Sequence, residues 1–346
     1  RYLPVGHRRT TAFKAMNSLN LLLKLVFCVV FFALNSSAQT NVAVINDDPN
    51  KAVFVTSDID NFWRAFDLAA KENDFDKKIA IYQTEYIDKG SAGLKDFVRL
   101  RIKSAKDLAE TVERLPRFYA SVRPSTLRVR EMEKRMRRSF RKFKKIYPEA
   151  VFPNVYFVIG ITNTGGTASE SGLLIGTELY GLTSATPRDE FFPFFRAAFL
   201  KNEKDEARAR ALTDRLLDTA LKPIEKITPV VAHESCHFNQ KYGRDLATLL
   251  AKSIQEGACD FIAELTADET MNPAQKAYGD RREAELWREF QNELNGTNYR
   301  KWMYNGLTAP PGVPGDLGYY MGYKISRAYY ENAKDKRQAV SDTLNI

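Results

Sequence analysis

Two of the three histidines of this chain lie four positions apart in VVAHESCHFNQ, residues 230–240, and this spacing constrains the local fold. In a helix of 3.6 residues per turn, His233 and His237 lie on one face, one turn apart, so their imidazoles can reach a common point. Glu234 lies about 100° around the helix from His233. This is the H-E-x-x-H arrangement, which supplies two zinc ligands and a general base. We predict a helix over residues 229–242.

Neighbouring residues delimit this helix and restrict the class of metal site that it can form. Thr228 supplies a hydroxyl cap and Pro229 suits a first turn, whereas Gly243 is a common stop signal. A tetrahedral catalytic zinc needs a third protein ligand and one open position. The remaining histidine, His7, belongs to a segment that we expect to be removed. The metzincin pattern is excluded, because it needs glycine and histidine where Gln240 and Gly243 stand.

A second helical stretch, LATLLAKSIQEGACDFIAELTAD, carries two carboxylates on one face. Glu256 follows His237 after 18 intervening residues, and Asp260 comes one turn later. This pattern resembles that of the thermolysin-like gluzincins. The resemblance implies that Glu256 is the third ligand of Zn²⁺ and that Asp260 orients a ligating histidine. It also implies peptide hydrolysis by a zinc-activated water, with Glu234 as the general base.

Peptide hydrolysis also needs a hydrogen-bond donor for the oxyanion that develops opposite the metal. The gluzincin resemblance places a histidine there, and no histidine is left in this chain for that role. The substitutes that we expect are tyrosine hydroxyls of the segment GYYMGYKI, namely those of Tyr319, Tyr320 and Tyr323. The alternative for all three side chains is aromatic packing in the core.

Four blocks of sequence resemble a bacterial family of predicted zinc-dependent proteases, whose relatives include the gliding-motility lipoprotein GldB group. The blocks are VYFVIGITNTGGTASESGLLIGTELYG, HESCH, QEGACDFIAEL and GYYMGYKIS. The resemblance implies a metal site, but it implies no particular substrate. The chain departs from a GldB lipoprotein in lacking a good lipidation cysteine, because Phe27 precedes Cys28 and apolar residues follow it.

Residues 1–38 have the layout of a secretory signal peptide. Basic residues precede the apolar run LVFCVVFFAL, and Ser36 and Ala38 fit the small-residue rule for cleavage. The apolar run is too short for a comfortable transmembrane span, and an uncleaved anchor is the alternative. Met16 is a second candidate for the true start, with the residues before it over-extended. We expect an exported bacterial protein, periplasmic or secreted, or else associated with the membrane.

The charge of the chain does not predict a nucleic-acid partner. Removal of residues 1–38 lowers the formal net charge from +9 to +4, because that segment carries five basic residues and no acidic ones. A net positive charge this small does not indicate nucleic-acid binding. The basic stretch 128–145 could bind an anionic surface, but we favour a solvated helix face whose apolar residues turn inward. These apolar residues are Met132, Met136, Phe140 and Phe143.

Two cysteines flank the predicted site. Cys236 comes three residues after His233, and Cys259 three residues after Glu256, so each faces roughly the same way as a predicted ligand. Three interpretations remain open. The cysteines could form a disulfide in an exported chain, supply a thiolate near the metal, or be two small buried residues.

The order of the predicted elements indicates an α+β fold that is mostly helical. We expect a mainly helical N-terminal region at 39–147 and a zincin-like catalytic region at 148–346. NVYFVIGI and GLLIGTELYG predict two strands of a small sheet before the H-E-x-x-H helix. By the gluzincin resemblance, the second strand is an edge strand that pairs with substrate backbone, and the TNTGGTASES loop borders the cleft.

Two functions follow from these patterns. The main prediction is a zinc-dependent peptidase that acts on a peptide or protein substrate. The alternative is a non-catalytic envelope accessory protein of motility or secretion, whose zinc site is structural or vestigial. The sequence does not indicate the cleavage specificity or the oligomeric state.

Overall fold

The chain folds into many helices and two small sheets, which confirms the predicted, mostly helical α+β class. The structure is a computed structural model that describes residues 45–242 and 247–346. The predicted signal peptide and the predicted stop at Gly243 lie outside the described residues. The strands are Ile45–Asn46 (β1), Phe54–Val55 (β2), Phe152–Pro153 (β3), Val155–Val158 (β4), Thr167–Ala168 (β5) and Leu173–Gly176 (β6).

The first half of the described chain is mainly helical. Several of these helices have an N-terminal side-chain cap. Asp74, Ser91 and Ser104 each accept a hydrogen bond from a backbone N–H of the first turn that follows. The helices are Ser57–Ala69 (α1), Phe75–Ile81 (α2), Ala92–Phe97 (α3), Ala105–Arg114 (α4), Pro116–Leu127 (α5) and Glu133–Ile146 (α6).

The basic stretch forms a short 3₁₀ turn, Arg128–Met132, followed by α6, and its apolar side chains face inward as predicted. Met132, Met136, Phe140 and Phe143 are all buried, with at most 9% of each residue exposed. Their spacing places one apolar stripe on the core and leaves the basic residues on the opposite face. The amphipathic pattern therefore accounts for this helix without a bound partner.

The larger sheet contains the two strands that the sequence predicted, but the second of them does not form its edge. The order is β2-β4-β6-β5, in which β2, β4 and β6 run parallel and β5 runs antiparallel to β6. The edge strand next to β6 is thus Thr167–Ala168, from within the TNTGGTASES loop. The prediction that GLLIGTELYG forms the edge was wrong, because this loop folds back and pairs with Leu173 and Leu174. A separate antiparallel pair joins β1 and β3.

The second half of the described chain contains the helices around the predicted site. The helices at 227–239 and 249–267 lie against each other, and the second of them also packs along the helix at 317–332. The helices are Phe191–Ala198 (α7), Glu206–Ala220 (α8), Ile227–Asn239 (α9), Leu249–Ala267 (α10), Pro273–Asp280 (α11), Glu283–Glu293 (α12), Leu317–Asn332 (α13) and Lys336–Leu344 (α14).

Helix α9 is slightly displaced from its predicted bounds. It begins at Ile227, after a 3₁₀ turn, so Thr228 lies inside the helix and does not cap it. The preceding residue, Lys226, makes no side-chain cap. The helix ends at Asn239, because Gln240 adopts an extended conformation with ψ of 136°. The extended Gln240 turns its side chain back toward the helix that it terminates.

One hydrophobic core connects the N-terminal helices, the larger sheet and the two site helices. It runs from Ala52 to Leu344 and includes buried side chains of α1, α6, β4, α9 and α10. A second cluster holds the C-terminal part, with Phe290, Trp302 and Tyr320 packed together. Within residues 45–242 and 247–346, no helix is long and apolar enough to cross a membrane.

Two glycines let helices α10 and α13 approach until their backbones touch. A β-carbon at Gly322 would overlap the carbonyl group of Ser253, and one at Gly257 would overlap the backbone of Gly322 and Tyr323. Neither clash involves a flexible side chain that could move away. These glycines fix the position of α10, and with it the carboxylate of Glu256.

We predict that Gly322→Ala lowers the free energy of unfolding by about 3 kcal/mol, because the added methyl group forces the two helices apart. In an exposed helix the same change would stabilise the chain. Urea unfolding measures the difference. Gly306→Ala is the control, since the nearest atom to its β-carbon is 4.0 Å away, in the side chain of Leu216. Equal stabilities of the two variants would contradict the packing argument.

Candidate metal centre

Three predicted ligands converge between α9 and α10. The Nε2 atoms of His233 and His237 are 3.0 Å apart, and Glu256 Oε2 lies 3.1 Å from His237 Nε2 and 3.6 Å from His233 Nε2. All three residues are buried, with at most 4% of each exposed. Donor atoms about 2 Å from one zinc ion, in tetrahedral directions, are separated by distances of this size. The three residues therefore form a group that could hold a metal ion.

An oxygen atom lies close behind the Nδ1 atom of each imidazole and orients the ring toward the centre. His233 Nδ1 lies 2.9 Å from Asp260 Oδ1, and Asn272 donates to the other oxygen of that carboxylate. His237 Nδ1 lies 2.8 Å from the side-chain oxygen of Gln240. Each of these oxygens can accept a proton from Nδ1, so in the neutral ring Nδ1 is the protonated nitrogen and Nε2 is the one that would present its lone pair to a cation.

The orientation of the Gln240 amide is itself determined by its neighbours. Its nitrogen donates to the carbonyl oxygen of Gln255, and its oxygen also accepts a hydrogen bond from the Tyr242 hydroxyl. The amide therefore cannot be turned around without losing both bonds. Gln240 was not predicted as a supporting residue, although its place three positions after His237 puts it within reach of that ring.

The centre requires positive charge. The two imidazoles and one carboxylate face each other in a buried place. Burial pushes the pKa of Glu256 upward, but the adjacent His237 and His233 bring it below its usual range. Burial lowers the pKa of His233, but Asp260 and Glu256 raise it well above its usual range. Glu256 Oε1 has no hydrogen-bond partner among the described residues. A divalent cation at the centre satisfies all of these groups, so the residues fit a metal ion.

The predicted base, Glu234, lies beside the centre with a free oxygen. It is buried, and its Oε2 atom has no hydrogen-bond partner among the described residues. Burial is the main cause that raises the pKa of this carboxyl. Gly166 approaches it so closely that a β-carbon there would lie 2.6 Å from Oε1. The glycine-rich loop thus packs directly on the carboxylate, and only a residue without a side chain fits at 166.

The loop that contains Gly166 is held by a second buried carboxylate that the sequence analysis did not single out. Glu178 accepts the backbone N–H of Gly160 and of Thr162. Burial raises the pKa of Glu178 to about 7. Thr162 has a φ of 59°, a left-handed conformation that these bonds help to maintain. Glu178 therefore fixes the start of the loop that borders Glu234.

Of the three predicted tyrosines, the structure brings only Tyr319 to the cavity beside the centre, where His233 and Glu234 also line the wall. The hydroxyl of Tyr320 donates to Asp280, and that of Tyr323 donates to Glu264. Both hydroxyls therefore have other partners. A further tyrosine, Tyr180, lines the same cavity, although no sequence motif points to it.

The two cysteines are buried free thiols, so the disulfide interpretation was wrong. Cys259 Sγ lies 3.5 Å from His237 Nδ1, on the side of the ring that faces away from the centre. Burial raises the pKa of the Cys259 thiol well above its usual value. The thiol form is the one that packs here, and its contact is with the protonated side of a ligand.

Comparison with known proteins gives one family. The family model described as gliding motility protein GldB matches residues 45–340. No curated protein and no solved structure matches this chain. The match confirms the resemblance to the GldB group and gives no support to a protease family. Because the matched residues are most of the sequence, the chain belongs to the family of gliding motility protein GldB.

Proposed function

We propose that this chain is a zinc-binding accessory protein of gliding motility that acts in the cell envelope. Membership of the GldB family supports the process. The convergence of two imidazole nitrogens and one carboxylate oxygen in a buried space supports the proposed metal site. The predicted export signal supports the location, and it stays a prediction because residues 1–44 lie outside the described residues.

The chemistry of the three donor groups favours zinc over calcium and magnesium. Two imidazoles and one carboxylate suit zinc, whereas calcium and magnesium prefer oxygen ligands alone. An ion bound to His233 and His237 on α9 and to Glu256 on α10 would join two helices of the main core. Binding to the folded state alone stabilises that state by mass action. In an accessory protein, this stabilisation is the contribution of the ion.

A second candidate function, zinc-dependent peptide hydrolysis in a zincin-like core, is favoured by one observation. Glu234 is buried beside the centre with an unpartnered Oε2 and lines a cavity that also reaches His233. A zinc ion in this donor set supplies Lewis-acid activation of a water molecule. Glu234 Oε2 would accept a proton from the attacking water and return it to the leaving nitrogen. Tyr319 would donate a hydrogen bond to the developing oxyanion.

We predict that Glu256→Gln lowers zinc affinity by about a hundredfold or more, because changes to residues behind a ligand already cost up to about that factor. The zinc-to-chain ratio after dialysis against a chelator of known affinity measures the loss. Glu264→Gln is the matched control, since Glu264 lies two turns later on α10 and contacts Tyr323. Zinc retained by Glu256→Gln as firmly as by the control would contradict the assigned centre.

Glu234→Gln separates the two candidate functions, because it removes the base and leaves the ligands. We expect zinc binding to be unchanged and the variant to restore gliding in a strain that lacks the protein. If the chain is a peptidase, peptide turnover and gliding both fail, with turnover reduced about 10²–10⁴-fold. Glu225→Gln, an exposed residue just before α9, is the control. Failure of gliding with normal zinc content would contradict the accessory proposal.

A further inference from the structure

A cavity of about 210 Å³ opens beside the metal centre, and most of the residues that line it are not predicted metal ligands. His233 and Glu234 form part of its wall, and so does Tyr319. The cavity is larger than an engineered site of about 150 Å³ that holds benzene. It therefore has room for one large side chain, but not for a long acyl chain.

One wall of this cavity is apolar and largely aromatic. It comes mainly from helix α7 and the residue after it, with further side chains from α8 and from two loops. A wall of this kind favours aromatic or large aliphatic groups, since rings pack well on rings and apolar area leaves water. Its residues are Phe194, Phe195, Phe199, Leu216, Met271 and Leu307.

The wall also contains one cation without a carboxylate partner. Lys222 Nζ donates to the carbonyl oxygen of Asp218. The carboxylate of Asp218 attracts the Lys222 charge, but it forms no ion pair with Lys222 among the described residues. The Asp218 carboxylate is engaged by Arg188, at 2.9 Å. The second lysine of the wall, Lys226, is neutralised by Glu269 at 2.6 Å. Burial lowers the pKa of Lys222, so a bound anion would relieve the cost of this partly dehydrated charge.

The backbone holds Lys222 firmly in this position. Its N–H donates to the carbonyl oxygen of Leu179 at 2.8 Å, and its own carbonyl oxygen accepts the N–H of Leu182 at 3.0 Å. These bonds place Lys222 against the segment that contains Tyr180, another residue of the cavity wall. These main-chain bonds fix the point from which the Lys222 side chain extends.

The charges of the wall give an anionic ligand one orientation. Glu234, Asp260 and Asp316 line the cavity and would repel a carboxylate. Lys222 would attract it. A ligand with a carboxylate and an apolar group would therefore bind with the carboxylate on Lys222 and the apolar group on the phenylalanines.

We propose that this cavity binds the C-terminal residue of a peptide, with its carboxylate on Lys222 and its aromatic or large aliphatic side chain on Phe194, Phe195 and Phe199. The volume favours one residue of a peptide over the acyl chain of a lipid. The inference rests on the proposed function in that the cavity shares His233 and Glu234 with the metal centre. It requires no hydrolysis, so binding alone tests it.

Calorimetric titration of the full chain with N-acetyl-Leu-Phe and with its C-terminal amide tests the proposal. The two probes differ only in the charged carboxylate. We expect the acid to bind about tenfold or more tightly than the amide to the zinc-loaded chain and to the zinc-free chain alike, as is ordinary for a hydrogen bond to a charged group. Lys222→Met should abolish this preference. Lys226→Met, the matched control in the same wall, should retain it.

Four results would overturn the proposal: equal binding of acid and amide, a preference that survives in Lys222→Met, a preference that appears only with zinc bound, or tighter binding of hexadecanoate than of the peptide acid. A preference that appears only with zinc bound would mean that the carboxylate binds the metal. Tighter binding of hexadecanoate would identify a lipid site. Thermal unfolding verifies that Lys222→Met is folded. The zinc-to-chain ratio is measured on the same samples, so a missing metal centre is distinguished from a missing carboxylate site.

Discussion

Two imidazole nitrogens and one carboxylate oxygen share a buried space, and the rest of the structure follows from the need to hold them there. Without positive charge between them, the lone pairs of His233 and His237 would repel each other and the carboxylate of Glu256. Such an arrangement persists only when the surrounding helices leave it no freedom to open. The backbone contact of α10 with α13, made through Gly257 and Gly322, supplies this rigidity on the side of Glu256.

Each ligand is supported by groups that come from a different part of the fold. Asp260 reaches His233 from α10, and Gln240 reaches His237 only because α9 stops at Asn239. The loop before β6 places Gly166 on Glu234. The centre, its base and the adjoining cavity thus depend on one packed unit, which explains why an accessory protein and a peptidase could share this architecture.

Structural elements that depend on local residue patterns could be predicted from the sequence. Elements that depend on contacts between distant parts of the chain could not. Helical spacing was enough to bring His233 and His237 together, and the gluzincin pattern was enough to select Glu256. The edge strand could not be predicted, because a two-residue strand at Thr167 exists only through its pairing with β6. Lys222 belongs to no recognisable sequence motif. Its importance comes from burial and from backbone bonds to Leu179 and Leu182.

The ligands of the zinc ion can be identified by X-ray absorption at the zinc edge of the purified, zinc-loaded protein. We expect two imidazole nitrogens and one carboxylate oxygen about 2.0–2.2 Å from the ion, with a further light atom completing the coordination. A sulfur atom about 2.3 Å from the ion would make Cys259 or Cys236 a ligand and would contradict the assigned centre. A spectrum with oxygen ligands alone would equally exclude His233 and His237.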